Sequence, residues 1–430
     1  MLQAQRANIL WVMLLAAWLG PVSGPARAGD DLAVQYLQRL SQTDRNDAVA
    51  LASLGDWASA NDLSQEAAEV YRRVLEIRPD DNEVYQRLVR IADTTRLPED
   101  PKRQQALQQQ FGKKYQLHVS PHFLIFYDTD PAWALNRAVL LEKTHDIFYS
   151  AFRRADLKPL PLSERLVCLL FDSHDDFADY ARRVDRMNMS WSSGYYSVRT
   201  NRIAFFNDKT NPAHQRVVNH IAELEKTIDA LRQNIRRDSR NPALVSVHRQ
   251  KLEAAMREHQ WYRNRLRGVA GMANTAKTTH EAVHQLAFNS NLQVRNVFYP
   301  FWLAEGLATN FETDDPAASF GPYFDNVERR KLLTDMQGDD KLMKLDKFIT
   351  MTTLPVNDAQ RVSELYAQAY GLFQFLFKKR HDQMRKYLEK LSKIPPGNRQ
   401  VNALRAEFID AFGPIDTVED QFTTWIRLMR

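Results

Sequence analysis

Thr278-Thr279-His280-Glu281-Ala282-Val283-His284-Gln285-Leu286-Ala287-Phe288-Asn289, followed by Phe301-Trp302-Leu303-Ala304-Glu305-Gly306-Leu307-Ala308, decides how this chain is read. His280 and His284 are four residues apart, so on a helix they sit one above the other on one face and their imidazoles converge. Glu281 is rotated by about 100° around that helix. Thr278 or Thr279 is the expected cap at its start. Ala282, Val283, Leu286, Ala287 and Phe288 supply apolar flanks, and Asn289-Ser290-Asn291 reads as the stop. Glu305 follows 21 residues after His284, beyond Pro300, in a run that is otherwise apolar. A carboxylate there is costly unless it is paired or holds a metal. His280, His284 and Glu305 thus outline three ligands and one open position, the layout of a catalytic rather than a structural zinc. Glu281 can reach the open side without ligating, where it can take a proton from water that the ion has acidified to a pKa of about 7.

His280 to Phe288, Trp302 to Ala308 and Tyr366-Ala367-Gln368-Ala369-Tyr370 resemble the gluzincin metallopeptidases, and among them the peptidase MA-like group of secreted bacterial proteins. The resemblance spans about 116–400. It implies one Zn2+ held by His280, His284 and Glu305, with Glu281 as general base. The substrate it implies is a peptide or protein, hydrolysed by metal-activated water. A Tyr or His near the oxyanion is also implied. Tyr366 and Tyr370 are the candidates, Tyr366 favoured, with core aromatics carrying satisfied hydroxyls as the equal alternative. Glu312, seven residues after Glu305, can stand behind a ligand His, but Asp314 and Asp315 beside it favour a solvated acidic end. Phe123–Tyr127, Leu166–Phe171, Gly194–Ser197 and Arg202–Phe206 match the strand pattern of the group. The chain departs from that pattern by a long helical insertion ahead of the motif helix.

Two other classes stay open. One is a non-catalytic metal-binding scaffold or interaction module. The other is a metal-dependent hydrolase of a non-peptide substrate, which sequence does not separate from a peptidase.

The N-terminus bears on location. Arg6, the apolar stretch Ile9 to Leu19 and Ala26-Arg27-Ala28 read as a signal peptide over 1–28, cut near Gly29. The mature chain is then expected in the periplasm, at the cell surface or secreted, with no stable membrane insertion, since no other apolar run approaches about 18 residues. Hydrophobic residues make up 44% of the chain, enough for an ordinary core. Cys168 is the lone cysteine, which excludes an intramolecular disulfide and a zinc ribbon. The net charge of +5 drops to +3 without Arg6 and Arg27, too mild to argue for nucleic acid.

The fold class expected is α+β, mostly helical. Residues 29–97 carry Leu51, Leu54, Gly55, Ala58, Ala67, Tyr71, Val74 and Pro79 at tetratricopeptide-like spacing, and a 34-residue step takes Leu51 to Tyr85. This segment binds a protein partner or caps the remainder. Residues 98–115 read as a linker helix. Residues 116–211 carry a small mixed sheet whose edge strand can hold an extended peptide. Residues 212–268 form an antiparallel helical hairpin. Val217, Ile221, Leu224, Ile228, Leu231 and Ile235 are its first seam, and Leu244, Val247, Leu252, Met256 and Trp261 the second. The hairpin borders the cleft, mediates assembly or is inert. Residues 269–430 bring the motif helices and a helical C-terminal half.

Overall fold

The computed structural model describes residues 28–189, 192–207, 212–295, 297–354, 358–395, 397 and 399–429. The expected signal segment falls outside them, apart from Ala28. The fold is α+β and mostly helical, with a small mixed sheet. The chain divides into two compact units, residues 1–95 and 96–430.

In the first unit, α1 (Ala28–Gln42), α2 (Ala48–Ala60), α3 (Ser64–Ile77) and α4 (Asn82–Thr94) follow one another with short turns. Asp47 and Asp81 accept backbone N–H groups at the starts of α2 and α4, which satisfies donors that a helix start leaves open. Leu51, Leu54, Ala58, Ala67, Tyr71 and Val74 are buried between the helices. Gly55 is the small residue that lets α2 approach α3: a Cβ there would lie 2.5 Å from the Tyr71 ring. The Tyr71 hydroxyl donates to Asp56 at 2.7 Å.

The second unit is built on five strands: β1 (Gln116–Val119), β2 (Phe123–Tyr127), β3 (Leu166–Phe171), β4 (Gly194–Ser197) and β5 (Arg202–Phe206). Their order is β1-β2-β3-β5-β4. The β2–β3 and β3–β5 pairs are parallel, and the β1–β2 and β4–β5 pairs are antiparallel. Both faces of the central strands are covered, so they read as unbroken apolar runs rather than alternating ones. On one face Phe123, Ile125, Cys168, Leu170, Ile203 and Phe205 join the main core. On the other, Leu124, Phe126, Val167, Leu169 and Phe206 pack on Phe177, in α7 (His174–Tyr180). Leu107, from α5 (Pro101–Phe111), joins this second core, so the segment expected as a linker is a layer of the sheet domain.

The main core lies between the sheet, α6 (Pro131–Arg154) and a set of C-terminal helices. These are α10 (Phe301–Thr309), α11 (Val327–Gly338), α12 (Leu345–Phe348), α13 (Ala359–Lys379), α14 (His381–Ser392), α15 (Val401–Phe412) and α16 (Ile415–Leu428). Trp302 is fully buried against the rings of Tyr387, Phe408 and Phe412, which fixes α10 in the helical half.

Two expectations about the middle of the chain are corrected. The hairpin pairs α8 (Pro212–Arg237) with α9 (Pro242–Asn289), and α9 runs 48 residues without a break through the motif. Thr278 and Thr279 therefore cap nothing. Both are buried mid-helix, and the Thr279 hydroxyl donates back to the Ala276 carbonyl at 2.9 Å. The second seam also lies elsewhere. Leu244, Val247, Met256 and Trp261 are exposed, while Ala255 is buried and Val245, His248, Leu252, His259 and Tyr262 are half-buried. The half-buried histidines stand there because each has a carboxylate across the hairpin or at its tip: His259 meets Glu225 and His248 meets Asp238, both at 3.1 Å. The first seam is as expected, with Ile221, Leu224 and Ile228 buried. Among the described residues, no helix is long and apolar enough to cross a membrane.

Candidate metal centre

The C-terminal part of α9 is clamped before it presents any chemistry. Ala282, Val283, Leu286 and Ala287 are fully buried. Gln285 donates to the carbonyls of Val167 at 3.1 Å and Asn201 at 2.9 Å, tying the helix to β3 and to the β4–β5 turn. The opposite side of the helix carries His280 and His284.

On that side His280, His284 and Glu305 converge, with ligand atoms all within 4.8 Å of one another. Nε2 of His280 lies 3.1 Å from Glu305 Oε2 and 3.2 Å from Nε2 of His284, and His284 Nε2 lies 3.6 Å from Glu305 Oε1. Donors at about 2.1 Å in a tetrahedral shell are about 3.4 Å apart. The spacing and the nitrogen–nitrogen–oxygen donor set therefore fit a bound metal ion. Among the described residues, no fourth His, Cys, Asp or Glu joins the group, which leaves a position for solvent or substrate.

Glu312 is not a solvated end. α10 stops at Thr309, and the following turn brings Glu312 back so that it bonds Nδ1 of His280 at 3.0 Å. Arg329 forks onto both oxygens of this carboxylate, Nε donating to Oε2 at 2.9 Å and Nη2 to Oε1 at 3.2 Å. An acceptor on Nδ1 turns Nε2 of His280 toward the metal position. Asn326 caps α11 through the Arg329 N–H, which sets the helix turn carrying this arginine.

These contacts move the titrations. Burial depresses His280, but Glu305 and Glu312 outweigh it and lift its pKa to about 9. Burial pushes Glu305 up, yet His284 and His280 take it well below the usual carboxylate range. Burial likewise opposes the charge on Glu312, but Arg329 and His280 hold its pKa near about 2.

Glu281 is buried and engaged at both oxygens. Oε1 meets Lys277 Nζ at 2.6 Å, and Oε2 accepts the Tyr196 backbone N–H of β4 at 2.7 Å. Burial raises its pKa, and Lys277 with the two histidines more than reverses this, so the carboxylate is ionised at neutral pH. β4 is the last strand of the sheet, and the Tyr196 N–H on it is turned to Glu281.

Tyr366 and Tyr370 part company. The Tyr366 ring lies 6.0 Å from the His280 ring and lines a cleft of about 470 Å³ with Lys277, His280, Glu312, Asn326 and Arg329. Its hydroxyl pairs with Glu305; burial, together with Glu305 and Glu281, pushes its pKa up. Tyr370 is fully buried, and its hydroxyl accepts the Asn326 backbone N–H at 3.1 Å, which serves the start of α11. Its place is in the core, apart from the cleft lining.

Three participants escaped the sequence reading. Lys277 precedes Glu281 by four residues, a spacing that faces helix side chains toward each other, so the signal was present. Arg329 carries no local signal and is one arginine among many. The Tyr196 N–H is a backbone group, invisible to residue-type reasoning.

Residues 274–398 match the model of a family described as "Protein of unknown function (DUF1570)". That stretch holds Lys277, the whole metal group, Glu312, Arg329 and Tyr366. No curated protein matches the chain.

Proposed function

We propose that the chain is a zinc-dependent peptidase of gluzincin type, acting after export from the cytoplasm. The observation that carries this reading is the convergence of His280, His284 and Glu305 beside an ionised, buried Glu281 and the last strand of the sheet. His280, His284 and Glu305 would hold the ion. Bound there, zinc supplies Lewis acidity toward a carbonyl and lowers the pKa of water to about 7.

The chain's own residues do the remaining work. Glu281 accepts a proton from the attacking water as its oxygen bonds to the scissile carbon, then passes the proton to the leaving nitrogen as the C–N bond breaks. Lys277 and the Tyr196 N–H hold the carboxylate in place and keep it ionised. Tyr366 would donate to the developing oxyanion in exchange for its contact with Glu305, a contribution of a few kcal/mol for such a donor. Glu312 and Arg329 orient His280. The edge of β4 can add an extended peptide as a further strand.

A second reading is a metal-holding scaffold. It draws on the Lys277–Glu281 contact, which occupies the oxygen that a base would turn to water. Metal content and cleavage of a peptide library separate the two. The wild type is expected to bind one ion at this group, and His284→Ala to lose it. Equal metal at the group in both sinks the site. Glu281→Gln is expected to retain metal and to lose cleavage; a wild type that holds metal yet cleaves nothing in the library leaves the scaffold.

A further inference from the structure

A second cluster of donors stands on α6 and the turn between β1 and β2, sharing no residue with the first and outside the matched stretch 274–398. Glu142, His145 and Asp146 occupy one side of α6 at i, i+3 and i+4 spacing. His122, from the turn, meets them. Glu142 accepts the His122 backbone N–H at 2.9 Å and bonds Nδ1 of the ring at 2.6 Å. This contact alone would serve to pin the turn to the helix.

It does not account for His145. The His145 ring stacks on His122 at 3.5 Å between centroids and 17° between planes, with its side chain only 12% exposed. Its Nδ1 lies 3.0 Å from Asp146 Oδ1. Two imidazoles this close cannot both carry charge at modest cost.

We propose that His122, His145 and Asp146 form a second metal site, with Glu142 behind His122 as the group that orients it. Their ligand atoms lie within 4.8 Å of one another. Donors on one ion stand at most about 4.4 Å apart, and an imidazole lone pair lies in its ring plane, so closure requires one of the two stacked rings to turn toward the ion. The Asp146 side chain is 76% exposed, so its carboxylate can exchange the His145 Nδ1 contact for the ion without repacking. Glu142 on Nδ1 leaves Nε2 of His122 for the ion, the carboxylate–histidine arrangement found behind metal ligands. Two imidazoles and one carboxylate suit zinc, nickel or copper, and do not suit magnesium or calcium, which take oxygen donors. The open side at Asp146 is the entry path.

The test uses the full chain stripped of metal and carrying His284→Ala, so that the first group is disabled. Zn2+ titration by calorimetry is expected to show one ion bound per chain, falling to none when His145→Ala is added. Copper loaded into the same protein is expected to show nitrogen couplings from two imidazoles in its EPR spectrum. Asp146→Asn, at an exposed position that leaves the core intact, is expected to weaken zinc binding at least about tenfold. It keeps the test decisive should His145→Ala fail to fold. No zinc bound in the His284→Ala chain overturns the site. So does binding that is unchanged by Asp146→Asn, or by His145→Ala in a chain with an unaltered circular dichroism spectrum. Loss of peptide cleavage plays no part in the readout, so failure here and failure of the proposed peptidase are told apart.

Discussion

Glu312 and His280 show how one buried pair governs a metal group. Glu312→Gln removes the charge behind Nδ1 and leaves Arg329 facing a neutral amide. Metal affinity is expected to fall by about 10–100-fold, the usual loss when the partner behind a histidine ligand is changed. The measurement is competition with a chelator of known affinity, made at pH 9, because proton competition confuses it below that. Metal-free His280 has a pKa of about 9, above the usual histidine value of about 6.5. An ion must displace that proton. Affinity is therefore expected to rise by about tenfold per pH unit toward pH 9 and then to level off. The sign for stability runs the other way. A raised pKa makes the metal-free fold gain from His280 fully below pH ~6.5, and this gain disappears as pH climbs through 9. Thermal melts of stripped protein should fall across that window, and melts of loaded protein should not follow them. A metal affinity that stays flat from pH 6.5 to 9 would show that His280 is neutral in the stripped chain.

Close approach of α10 to α13 decides where Glu305 stands. A Cβ on Gly306 would meet the Ala369 carbonyl oxygen at 2.5 Å and Phe373 Cβ at 2.9 Å, and backbone does not move aside cheaply. Gly306→Ala is expected to destabilise the second unit by about 1–3 kcal/mol, read from urea unfolding, and to weaken metal binding by shifting the neighbouring carboxylate. A variant as stable as wild type would mean that α10 can slide. The glycine of Trp302–Ala308 is thus a packing demand that the sequence displayed without its reason. Other elements were legible because one physical signal dominated. Leu166–Phe171 and Phe123–Tyr127 are strands as read, since apolar runs of that length fit a sheet covered on both faces. The C-terminal half is helical as read, with Ala359–Lys379 its longest described helix after the motif helix. The start of the motif helix was misread because Thr both caps helices and sits inside them, bonding its hydroxyl back one turn as Thr279 does. The second hairpin seam was misread because apolar residues were assigned to it, whereas paired histidines half-fill it. Glu312 was misplaced because its partner arrives from α9, 32 residues away in the chain.

At the scale of the molecule, the division into residues 1–95 and 96–430 separates the N-terminal helical unit from everything that bears on the metal group. The sheet, the clamp by Gln285, the ligands and the Glu312–Arg329 pair all belong to the second unit. The described residues of its main core lie at or beyond Leu97. A chain of some 300 residues buries about 75% of the surface its unfolded form exposes, ample for independent folding. The first unit is small, and its helices bury Leu51, Leu54, Tyr71 and Val74 among themselves. A chain beginning at Arg96 is therefore expected to fold, to bind metal with the stoichiometry of the full chain, and to give the same response to His284→Ala and Glu312→Gln. Metal titration beside urea unfolding checks this. Retained metal with diminished cleavage of long peptides but not short ones would assign residues 28–95 to substrate or partner capture. Aggregation of the shortened chain, or loss of its metal, would instead make the first unit a structural cap that the second cannot do without.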